Sequence, residues 1–184
     1  MVGRKPAQAP GETLAGVIRQ GTAVPSTFLV RRACFEAVGG FDEGLAAMED
    51  VDFCLRVARR YRLVHLPQAL GAYRAHGPSL SGTPEKIYPS YITIFERLLD
   101  DPDAARARGL VRQRLARFRY LWGAHQMKRG ATAQGVRLIR EAVATWGLVG
   151  WTLDPSRPWW VRAGHVFKPY AVLSAHAANG EPPS

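Results

Sequence analysis

Two adjacent glycines, Gly39-Gly40, followed at once by Phe41-Asp42-Glu43, limit most sharply what this chain can become. Glycine enters backbone conformations closed to other residues, so the pair marks a tight turn, and Phe41 supplies the apolar side chain that pins it. Glu49-Asp50 then opens a segment with Val51, Cys54, Leu55 and Ala58 at helical spacing. Both carboxylates therefore fall at or just before a helix N-terminus, at the mouth of whatever the glycine turn lines. Taken alone, an acidic pair in that position is most often a device that suits the helix dipole, as Arg59 and Arg60 do at the other end. The order of the surrounding pieces gives the pair a second meaning.

Before the turn, Ser26 to Arg31 alternates with Phe28 and Val30 on one side, which predicts a strand, and Arg32 to Val38 predicts a short helix. After the helix that spans Asp50 to Tyr61, Leu63–Leu66 and Leu70–Arg74 read as short strands broken by Pro67. The second ends in Tyr73-Arg74-Ala75-His76, with Arg74 and His76 on one side of the strand. Arginine suits bidentate contact with phosphate, and histidine a divalent metal or a phosphate oxygen.

This series resembles the second half of a family 2 glycosyltransferase of the GT-A type: a strand and short helix, a Gly-Gly-Phe-Asp-Glu turn, an Glu-Asp pair opening a helix, Arg56 within that helix, a strand, and a Tyr-Arg-x-His ending. The resemblance covers about Leu14 to Ser81. It implies an α/β fold, a partial GT-A-like mixed sheet with flanking helices followed by a helical C-terminal region. It implies transfer of a sugar from a nucleotide-diphosphate donor to an acceptor hydroxyl of a glycan or a lipid-linked molecule, with inversion. By the same resemblance Asp50 is the general base with Glu49 beside it. Gly40, Phe41, Asp42, Glu43 and Arg74 contact substrate, and His76 meets a divalent metal, Mg or Mn. Such enzymes also carry an upstream nucleotide-binding half ending in an Asp-x-Asp metal motif. Ahead of Ser26 the one acidic residue is Glu12, and Asp50-Val51-Asp52 lies on the wrong side of the turn. The expectation is therefore a C-terminal fragment that is inactive alone and needs a missing N-terminal half.

The organisation expected along the chain is a disordered leader over 1–12, the acceptor or catalytic half over 13–84, a helical region over 85–150, and an aromatic amphipathic helix with its tail over 151–184. Ile87, Tyr91, Ile94, Phe95 and Leu98 make a helical stripe, Asp100-Asp101-Pro102-Asp103 signals a helix start, and Gly130 turns a long basic helix into another from Ala133 to about Trp146. Such a helix pair cannot bury its own face and should dock on the preceding region or a partner.

Charge opens a different class of reading. The formal net charge is +10, and Ala104 to Arg140 contains many arginines and no acidic residue. A one-sign surface of that kind attracts phosphates, so a non-catalytic module binding a partner protein, an anionic membrane surface or nucleic acid is the alternative. No RNA-binding signature accompanies the basic run, which disfavours nucleic acid. Trp159 and Trp160 open the last predicted helix and would suit peripheral membrane contact. The five histidines show no metal-ligand spacing. Cys34 and Cys54, far apart and without a motif, read as reduced core residues of a cytoplasmic protein. No segment reaches the ~20 apolar residues that span a bilayer.

Overall fold

The computed structural model describes residues 13–21, 25–64, 66, 68 and 83–146. Among these residues six α-helices run in the order α1 (Leu14–Gln20), α2 (Arg32–Val38), α3 (Glu49–Arg60), α4 (Pro84–Asp100), α5 (Arg108–Lys128) and α6 (Thr132–Trp146). Short 3-10 turns at Pro25–Thr27 and Pro102–Ala107 precede α2 and α5. The second begins where Asp101 accepts a hydrogen bond from the Asp103 amide at 2.8 Å, so the start signal of the sequence is a working cap.

The expected α/β mixed sheet is overturned. Among the described residues there is no strand, and Leu63 forms only an isolated bridge. The predicted Ser26–Arg31 strand begins instead in a 3-10 turn, where the Phe28 amide bonds back to the Pro25 carbonyl at 3.0 Å. The alternation behind that expectation is real: Phe28 and Val30 pack against the core while Leu29 is 99% exposed. A strand, however, needs a partner ladder for its amides and carbonyls. Here the side chains of residues 28 and 30 face helices. Predicted strand Leu63–Leu66 is likewise not a strand, and Leu70–Arg74 lies outside the described residues.

The principal core joins Leu14, Val17 and Ile18 of α1, Val51, Phe53, Leu55 and Val57 of α3, Ile94, Phe95 and Leu98 of α4, and Val111 and Leu115 of α5. Each such side chain, fully buried, contributes about 1.5–3 kcal/mol before ordering costs are set against it. The basic helix pair does dock on the preceding region, since α5 packs against α4 and α1 while α6 packs on α5. Ile139 and Ala142 of α6 are fully buried. The α5–α6 crossing is unusually close: a Cβ added at Gly123 would meet the Gly135 carbonyl oxygen at 2.7 Å.

The basic run is less of a free cationic face than its sequence suggests. Arg114 donates from Nε to the Ile18 carbonyl at 2.8 Å and also reaches that of Arg19, satisfying the C-terminal end of α1. Burial lowers its pKa from the usual arginine value. Arg119 pairs with Glu96 at 2.6 Å, and Arg129 with Glu85 at 2.9 Å. The acids missing from Ala104–Arg140 come from α4, brought alongside by the fold. No helix among the described residues is long and apolar enough to cross a membrane.

Candidate functional site

The glycine turn is built by α2 and held by α3. Helix α2 ends at Gly39, whose φ of 83° and ψ of 26° lie in the left-handed region, and Gly40 follows at φ 68°. The Gly39 and Gly40 amides both return to the Phe35 carbonyl at 3.2 Å, closing the last turn of the helix. Side chains at these positive φ values are strained, so the two glycines are required here.

Arg56 then grips the turn from outside. Its guanidinium donates to the carbonyl of Val38, and through Nη2 to that of Gly40 at 2.6 Å. Its Nε donates to Asp52 Oδ2 at 2.7 Å, one helical turn earlier on α3. Arg60 adds a hydrogen bond to the Ala37 carbonyl at 3.0 Å. The orphan carbonyls at the end of α2 thus meet two cations from α3, which also favours the negative end of the helix dipole. The planar fork of arginine is what allows one side chain to hold two carbonyls and one carboxylate.

Phe41 leans on the same helix. Its ring centroid is 5.0 Å from Phe53 and 5.9 Å from Phe35, within the range of favourable aromatic pairs, yet the residue remains 44% exposed. Asp42 accepts the Gly44 amide at 2.8 Å and pairs with Arg97 of α4 at 2.5 Å. The Arg97 hydrogen bond, and after it the Gly44 amide, hold the Asp42 carboxyl below its usual pKa. Across the same space Arg59 pairs with Asp101, and burial lowers the Arg59 pKa.

These groups enclose a cleft of about 440 Å³ between the turn, α3 and α4. The turn supplies Gly39, Phe41, Asp42 and Glu43, facing Asp52, Arg56 and Arg59 on α3, Arg97 on α4 and Asp101 just after it. Leu55, Ile94 and Leu98 form its apolar floor. Glu43 is exposed and has no ion-pair partner among the described residues. The cleft can offer carboxylate acceptors, guanidinium donors and an open aromatic ring to a hydroxyl-bearing ligand.

The other residues named from the sequence are placed differently. Gly40 contributes its carbonyl to the Arg56 grip, while Phe41, Asp42 and Glu43 do come together in the cleft. Glu49 and Asp50 open α3 as expected, Glu49 exposed and Asp50 half-buried, but neither lines the cleft. At 100° per residue Asp50 projects almost opposite to the cleft-lining positions 52, 55, 56 and 59. Its charge is felt instead by Cys54 and Tyr91. Burial first, and Asp50 second, push the Cys54 thiol up to about 12 and raise the Tyr91 phenol. Cys54 is accordingly an inert, free thiol, as is expected of a core cysteine. Asp50 Oδ1 accepts the Val51 amide at 2.8 Å.

Arg74 and His76 lie outside the described residues. Among those that are described, no three His, Cys, Asp or Glu side chains come together to hold a metal ion. Asp50 and Asp52, alike in sequence to a metal pair, diverge around α3, and Asp52 is committed to Arg56.

The sequence reading missed Asp52, Arg59, Arg97 and Asp101. The first two follow from helical spacing once Arg56 is known to face the turn. No local signal announces Arg97, which is fifty-five positions from Asp42.

No curated protein and no solved structure matches this chain. A family model does: residues 13–110, more than half of the chain, match that of glycosyltransferase like family 2. The matched span contains the glycine turn, the grip of Arg56, the Glu49-Asp50 helix and both walls of the cleft, and on that match the chain belongs to the glycosyltransferase-like family 2.

Proposed function

We propose that the chain serves transfer of a sugar from a nucleotide-diphosphate donor to an acceptor hydroxyl with inversion, and that Asp50 is the general base. The observation that carries this is the juxtaposition, inside the family match, of a rigidly held Gly39–Glu43 turn with the helix that Glu49 and Asp50 open. In this reading the Asp50 carboxylate takes the hydroxyl proton as the acceptor oxygen attacks the anomeric carbon and the bond to the diphosphate breaks. Positioned proton removal of this kind contributes ~10²–10⁴-fold to rate. Glu43, Asp42 and the open Phe41 ring face the acceptor from the cleft. Because Asp50 and the cleft lie on different sides of α3, an acceptor that touches both must pass around the N-terminal end of that helix. This favours an extended glycan or lipid-linked glycan over a small free sugar.

The test is Asp50→Asn in the full-length protein, assayed against a panel of nucleotide-diphosphate sugars. Turnover should fall ~10²–10⁴-fold with donor affinity and folded stability retained, because the base acts in the transition state. Near-normal turnover would reduce Asp50 to a residue that opens α3.

A further inference from the structure

We infer that Met48 is a positioning residue whose left-handed backbone aims the Asp50 carboxylate, an inference that rests on reading Asp50 as the base. Met48 stands at φ 65° and ψ 22°, the only non-glycine residue at positive φ among those described. It occupies the N-cap of α3, a position that ordinarily takes extended backbone and a Ser, Thr, Asp or Asn side chain. Met48 provides neither, and no side-chain cap bond is made there. An unbranched apolar residue gains no local hydrogen bond to offset a left-handed conformation, so the conformation is imposed by its surroundings.

Three contacts impose it. Ala47 is buried at 5% exposure, the Met48 side chain packs against the principal core, and the Met48 carbonyl accepts the Asp52 amide at 3.1 Å. Immediately beyond, the Val51 amide fixes Asp50 Oδ1. Met48 is thus the residue at which the chain turns from buried Ala47 into the first turn of α3, two positions before the carboxylate. Were Met48 to relax to extended backbone, its carbonyl would leave the Asp52 amide and the entry of α3 at Glu49-Asp50 would fray, while Val51 and Phe53 stay anchored in the core. Outliers of this kind persist where the surroundings over-determine them, and they cluster beside reacting groups.

The test compares Met48→Ala with Met48→Gly. Both delete the side chain, so their difference isolates the backbone. Glycine accepts positive φ freely, and its folded-to-unfolded ratio should exceed that of the alanine variant about five- to thirtyfold. Equal stability would overturn the strain. Amide exchange at Val51 and the Asp50 side-chain ¹³C resonance report positioning without any substrate. In Met48→Ala the Val51 amide should exchange about tenfold faster than in Met48→Gly and the Asp50 signal should move, with α5 amides unchanged. An unaltered Val51 amide and Asp50 signal would overturn the positioning role. Where transfer is measured, Met48→Ala should lower kcat relative to Met48→Gly while leaving KM in place. If the wild type transfers no sugar, the two substrate-free readouts still decide what Met48 does.

Discussion

Around the glycine turn, the carbonyls of Ala37, Val38 and Gly40 are held by guanidinium groups reaching from α3. Where α5 crosses α6, the backbones approach through Gly123 and Gly135 above a fully buried Ile139. The first region is half open to solvent and contains the cleft, and the second is closed. Directional charged hydrogen bonds can hold a loop in one shape without burying it, which leaves Phe41 and Glu43 open to meet a ligand. Close packing specifies shape only where water has been removed, and it leaves nothing exposed to do chemistry. Each region should therefore break in its own way.

The largest effect is expected in the closed region. A methyl group at Gly135 would stand 2.3 Å from Met127 Cγ and 2.7 Å from the Gly123 carbonyl oxygen. Met127 can swing aside, but the backbone carbonyl cannot, so Gly135→Ala should push α5 and α6 apart at a cost of about 1–3 kcal/mol. Thermal unfolding of Gly135→Ala against the wild type measures this. An unchanged midpoint would mean that the crossing is looser than described and that the contrast between the regions is overstated.

A smaller effect is expected at the rim of the open region. The folded Asp42 carboxyl has a pKa below its ordinary value of 3.8. A depressed carboxyl pKa contributes stability above the unfolded value that is lost as pH falls through the folded one. The Arg97–Asp42 contribution is therefore present at neutral pH and disappears below about pH 4. Arg97 is 57% exposed, so solvent screening keeps the pair under about 1 kcal/mol. In Arg97→Ala the Asp42 titration followed by NMR should move up toward 3.8, with a stability change near the limit of detection. A titration curve identical to that of the wild type would remove α4 from the description of the turn.

The same contrast explains what could be read from the sequence. Helices α2, α3, α4 and α6 were legible nearly to the residue, because apolar spacing and the Gly39 stop are local signals. The docking of the basic helix pair was legible too, since one apolar face without a partner must find one. The sheet was misread at Phe28 and Val30. Period-two alternation reports which side chains turn inward but not whether another strand lies alongside, and here the inward side chains meet helices. The cleft was half legible. Phe41, Asp42 and Glu43 belong to a recognisable run, whereas Arg97 of α4 reaches Asp42, and Asp101 beyond α4 reaches Arg59, by long-range contacts that no spacing encodes. The pairing within the basic run was illegible for the same reason, because Glu85 and Glu96, which meet Arg129 and Arg119, are distant in sequence and adjacent in space.

Arg56 fixes the glycine turn independently of the packing of α5 and α6. Arg56→Lys tests it most directly, because lysine keeps the charge toward Asp52 but cannot fork across the Val38 and Gly40 carbonyls. Amide hydrogen exchange over residues 39–45, measured beside α5 and α6 in the same molecule, gives the answer. The expected result is exchange at least tenfold faster in the turn, corresponding to about 1.5–3 kcal/mol for charge-assisted hydrogen bonds, with α5 and α6 protected as in the wild type. Protection of the turn equal to that of the wild type, or loss spread evenly over turn and bundle, would contradict it.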